Sequence, residues 1–63
     1  MAWLAVDKKC REYIHEEFPY RSMSYEEWWS YRDAIILPKG SIKKLIGREL
    51  TWEDEPVELK EKK

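Results

Sequence analysis

A chain of 63 residues buries only about 60% of the surface its unfolded form exposes, which leaves room for one core and excludes a two-domain arrangement within these residues. Cys10 is the single cysteine and His15 the single histidine, so no internal disulfide can form and a metal held by this pair would be at least two ligands short. Twelve Lys and Arg against thirteen Asp and Glu argue against a protein held to nucleic acid mainly by phosphate attraction, which needs a basic excess.

Residues 2–6 read as a strand, because Trp3, Leu4, Ala5 and Val6 form an apolar run too short for a helix. Asp7, Lys8, Lys9 and Cys10 supply a polar reversal without the glycine or asparagine of a tight hairpin turn, so a slightly longer loop is expected. Residues 11–18 carry Tyr13, Ile14 and Phe18 among charges, which fits a second strand antiparallel to the first. Pro19 ends it, since proline cannot donate to a sheet ladder.

Residues 20–32 admit two readings. Ser24 followed by Glu27 is a capping-box pattern that starts a short helix through Tyr31. The alternative, which the absence of a clean apolar stripe favours, is strand or irregular structure with Trp28 to Arg32 on a pleated surface. Residues 33–37 form an isoleucine-rich strand closed by Pro38.

After Gly40, Ser41 has the chemistry of an N-cap, and Ile42, Leu45 and Ile46 follow at helical spacing. Gly47 either caps this helix or sits inside a longer one that reaches Leu50. Residues 51–54 form a turn, and Val57 with Leu59 predicts a last short strand after Pro56. The domain spans residues 1–59, with 60–63 as a solvated tail. The expected fold class is α+β: a small antiparallel sheet of three or four strands, with one short helix packed on one face. Ile35, Leu37, Leu45 and Ile46 are the expected core.

The opening Trp3-Leu4-Ala5-Val6-Asp7, with residues 37–42 and 50–59, resembles short uncharacterised proteins of gut-type bacteria and their phages. The resemblance implies an accessory protein of a mobile element and carries no chemistry or site with it.

The residues offer little for catalysis, which requires a nucleophile, a base and a group that orients them. Glu16 and Glu17 beside His15 project to different sides of a strand, so no triad follows, and His15 reads as a surface residue on a charged strand. Cys10 lies among Lys8, Lys9 and Arg11, whose charges favour a thiolate, but no second thiol or base accompanies it. No catalytic residue, metal site or cofactor is expected.

Two surfaces remain. Lys39, Ser41, Lys43, Lys44 and Arg48 form a basic strip at the start of the helix, suited to an anion or single-stranded nucleic acid, although Glu49, Glu53, Asp54 and Glu55 follow closely and oppose it. Trp28 and Trp29 are adjacent, so they face opposite sides of a strand or lie about 100° apart on a helix. One core rarely buries both, and with Tyr25 and Tyr31 they predict an aromatic patch of the residue types enriched in binding hot spots. The expected function is therefore a non-enzymatic protein-binding module, such as a phage or prophage accessory factor that occupies or inhibits a host protein. Its partner is an unidentified protein or a second copy of the chain, and nucleic-acid binding through the strip is the second reading. The longest uncharged apolar run, residues 34–37, is too short to cross a bilayer, and no signal-peptide pattern opens the chain, so a cytoplasmic location without membrane contact is expected.

Overall fold

The computed structural model describes residues 2–59, and the tail expected at 60–63 lies outside the described residues. In chain order the elements are β1 (Ala2–Val6), β2 (Glu12–His15), β3 (Tyr20–Ser22), β4 (Glu27–Trp29), β5 (Ala34–Leu37), α1 (Ser41–Ile46) and β6 (Val57–Leu59). Four strands make an antiparallel sheet in the order β5-β2-β1-β6, and β3 with β4 form a separate hairpin. The α+β expectation holds, with the hairpin as an additional layer.

Alternation along the strands divides the sheet into two faces. Leu4 lies opposite Ile14 and Val57, and these side chains join Val6, Leu37 and Leu59 on one face. Ile42 and Ile46 of α1 and Leu50 from the following loop pack there to complete the core. Trp3, Ala5, Tyr13 and His15 point to the other face, where the hairpin sits.

The core differs from expectation in two places. Ile35 belongs to the helix face but lies on the outermost strand beyond the reach of α1, and it is 65% exposed. Leu45 is exposed because a helix of six residues turns only Ile42 and Ile46, four apart, onto the sheet. Leu37 and Ile46 are half-buried. The fully buried places go to Leu4 and Ile42.

The start of α1 is also not capped as the sequence suggests. The Ser41 hydroxyl donates backwards to the Pro38 carbonyl at 2.7 Å. The helix amides are met by Glu12, from β2: Oε2 accepts from Gly40 N–H at 2.8 Å and Oε1 from Ile42 N–H at 2.9 Å. A carboxylate suits the positive end of a helix. Gly40 (φ 92°) and Gly47 (φ 82°) both take the left-handed conformation that glycine adopts at least cost. Gly47 N–H donates to the Lys43 carbonyl at 2.8 Å and ends the helix, which decides between the two readings of that glycine.

The first loop dispenses with glycine through Asp7. Its buried Oδ1 accepts from the backbone amides of Lys9 (3.0 Å) and Arg11 (2.8 Å), and its Oδ2 takes Arg11 Nε at 2.7 Å. Those bonds hold the reversal that carries Cys10 at φ 66°. β2 stops at His15, three residues short of the expected Phe18. Among the described residues no helix is long and apolar enough to cross a membrane.

Candidate functional site

The capping-box helix does not form. Residues 20–29 make a hairpin in which Tyr20 lies opposite Trp29, Arg21 opposite Trp28 and Ser22 opposite Glu27. Glu26 takes a left-handed conformation (φ 58°), and its N–H closes the turn on the Ser22 carbonyl at 2.7 Å.

Alternation then separates the two tryptophans. Trp28 faces the body of the protein and is buried; its Nε1–H donates to the Val6 carbonyl at the end of β1 at 2.8 Å. Arg21, its cross-strand neighbour, packs against two indoles at once, with its guanidinium carbon 4.8 Å from the Trp28 ring centre and 5.2 Å from that of Trp52. The two rings meet edge to face at 5.7 Å. Arg21 also donates through Nη2 to the Trp52 carbonyl (3.1 Å) and the Asp54 carbonyl (3.4 Å). The planar, weakly hydrated guanidinium lies against both rings and ties the hairpin to the 50–56 loop. Trp28 is thus a packing residue, and its expected place in a binding patch is corrected.

The outward side of the hairpin carries Tyr20, Trp29 and Glu27. Trp29 is 40% exposed and stacks on Tyr25 from the turn, with ring centres 5.0 Å apart and planes 21° from parallel. Its Nε1–H donates to Glu27 Oε1 at 3.2 Å. Tyr20 and Tyr25 are both more than half exposed. Three rings therefore line one surface, and Tyr20 joins it although the sequence reading left it out; its signal was its position across the turn from Trp29. Tyr31, almost wholly exposed, lies past the end of β4 in a shallow polar depression beside Glu16, Glu17, Arg32 and Asp33. Arg32 pairs there with Glu17 (3.4 Å) and Glu16 (3.9 Å).

His15 is not a surface residue. It is 1% exposed, on the hairpin face of the central sheet opposite Trp3. The Ser30 hydroxyl gives its one proton to the Arg32 carbonyl (2.7 Å), so at the 3.1 Å contact between His15 Nδ1 and Ser30 Oγ the imidazole is the donor. Its other nitrogen, Nε2, is buried without a hydrogen-bond partner. Burial lowers the His15 pKa below its ordinary value. The contact ties the segment after β4 to the sheet.

Lys39, Lys43, Lys44 and Arg48 are exposed as expected. The amides that would join them in holding an anion, those of Gly40 and Ile42, are already engaged by Glu12. Cys10 is exposed, and among the described residues no group of three or more His, Cys, Asp or Glu is placed to hold a metal ion. Comparison with known proteins finds no matching family model, no matching curated protein and no matching solved structure.

Proposed function

We propose that this chain is a non-catalytic protein-binding module whose contact surface is the outer face of the β3–β4 hairpin, centred on Trp29, Tyr25 and Tyr20. The observation that carries this reading is the stacked and hydrogen-bonded Trp29 left open to solvent while its neighbour Trp28 anchors the hairpin. A ring already held in place loses little further freedom on binding, and its flat apolar area with a polar rim is what hot spots use. Glu27 and Tyr hydroxyls supply the rim. The sequence resemblance to short proteins of gut-type bacteria and their phages fits an accessory factor that occupies a host protein's surface in the cytoplasm. Nucleic-acid binding through Lys39, Lys43, Lys44 and Arg48 is the weaker reading, because Glu12 takes the amides that would help hold a phosphate.

Affinity capture from a gut-bacterial lysate tests the reading when three forms run side by side: the natural chain, Trp29→Ala, and Lys43→Glu with Lys44→Glu. Specific protein bands should persist with the lysine variant and disappear with Trp29→Ala. Capture indifferent to Trp29 would overturn the patch. Recovery of nucleic acid that only the lysine variant abolishes would transfer the function to the basic strip.

A further inference from the structure

The two outer strands of the sheet end it in different ways. Their free hydrogen-bonding groups follow from the register. Asp7 N–H donates to the Arg11 carbonyl at 3.1 Å, so this pair is a hydrogen-bonded one, and along an antiparallel ladder such pairs alternate with non-bonded ones. Tyr13 and His15 therefore turn their backbone groups toward β1, while Glu12 and Ile14 turn theirs toward β5. Glu12 meets Leu37 and Ile14 meets Ile35. The N–H and C=O groups of Ala34 and Ile36 are left pointing away from the sheet. By the same count Leu4 bonds Val57 and Ala2 bonds Leu59 on the other side, which leaves Glu58 as the outward residue of β6.

An open edge is a template for another strand, and proteins commonly guard it with charge, proline or brevity. β6 is so guarded: it has three residues, an outward Glu58, and Pro56 just before it. β5 is not. All four of its residues are uncharged, and Ile35 and Ile36 are 65% and 56% exposed, one on each face of the sheet.

We propose that β5 pairs antiparallel with β5 of a second copy of this chain, joining the two sheets across a two-fold axis, with Ile35 opposite Ile35 of the partner. The occupant is a strand because what the edge presents is a row of backbone donors and acceptors. It is a second copy because the edge is complementary to itself. A two-fold axis perpendicular to the sheet keeps like faces together, so opposed residues must sum to an even number, and the axis passes through a residue rather than between two. Centred on Ile35, Ala34 faces Ile36 of the partner, and both are outward residues. All their N–H and C=O groups then pair. Centring on Ile36 instead would set Ala34 against the partner's Pro38, which lacks an N–H, and leave the Ala34 carbonyl unmatched. In the Ile35 register the two Ile35 side chains meet at a non-bonded pair, the closer kind, on the helix face. On the hairpin face Ile36 covers the small Ala34 of the partner. No like charges within the strands oppose one another, whereas the same operation at β6 would set Glu58 against Glu58. A four-residue edge buries little area, below the standard interface of about 1,600 Å², so the dimer belongs to the weak, concentration-dependent class.

This inference is independent of the aromatic patch, and the test separates them. Sedimentation equilibrium of the natural chain from about 1 μM to about 1 mM spans the range where small interfaces associate. The mass should rise from monomer to dimer. Ile36→Lys, at an exposed site, should keep the far-ultraviolet circular dichroism and stay monomeric throughout, while Trp29→Ala should dimerise like the natural chain. A monomer at every concentration overturns the proposal, as does a dimer that survives Ile36→Lys or one that Trp29→Ala removes. The register has its own check, which also serves if the lysine variant fails to fold. With Cys10→Ser in place, Ile35→Cys should oxidise to a disulfide-linked dimer, because its partner sulfur lies across a close pair. Ile36→Cys should not; linkage at 36 in preference to 35 overturns the register.

Discussion

The two faces of the central sheet are held by different physics. On the helix face Leu4, Val6, Ile42 and Leu50 are buried among other aliphatics, where stabilisation depends on area and tolerates changes of shape. On the hairpin face the contacts are directional: Trp28 to the Val6 carbonyl, Arg21 against two indoles, and His15 to Ser30. Directional contacts fix orientation as well as proximity. The face that carries the three exposed rings is therefore the one that is hydrogen-bonded in place.

Substitution can break this contrast most sharply at Trp28. Trp28→Ala should cost about 3–5 kcal/mol, by cavity formation and by loss of the Val6 bond, and in so small a domain that amounts to unfolding in a denaturant melt. A loss below about 1 kcal/mol would mean the hairpin is not anchored as described.

Acid probes the same face through His15. Its folded-state pKa is lowered by burial, so the unfolded chain takes up the proton first. The stability it contributes is fully present above about pH 6.5, the unfolded value, and is lost as pH falls below that toward the folded pKa. Thermal melts between about pH 7.5 and pH 5.5, above the carboxylate range, should show a falling midpoint that His15→Gln flattens. An unchanged slope in that variant would place the titrating group elsewhere.

The smallest effects belong to the exposed side chains. Trp29→Ala should cost about 1 kcal/mol, the scale of one lost aromatic stack, even as it removes the binding proposed for this surface. Leu45→Ala should likewise stay near or below about 1 kcal/mol, since half the side chain is already in water. A loss above about 2 kcal/mol at Leu45 would return it to the core that its helical spacing suggested.

Local chemistry made β1, β5, β6 and the start of α1 legible, because apolar runs, prolines and glycines mark them out. Adjacency of Trp28 and Trp29 was enough to show that one would remain exposed. Which one depended on the side of the hairpin that meets β1, and that is a tertiary fact. His15 was misread for the same reason: charged neighbours on an alternating strand say nothing of what covers the opposite face. Ile35 looked like core because composition marks a strand without revealing that it lies at the sheet's edge. The Glu12 cap joins residues 28 apart and leaves no local trace, so Ser41 took its place in the reading.

That cap also ties the helix to the pairing of two strands. A helix of six residues is far below the length at which an isolated helix nucleates and persists in water. α1 has no carboxylate of its own in its first turn and borrows one from β2. Glu12 lies opposite Leu37, so the same pairing that joins β2 to β5 brings its carboxylate to Gly40 and Ile42. The helix and the β2–β5 ladder are thus coupled in the folded state: losing the register of the strands would also remove the carboxylate that caps α1.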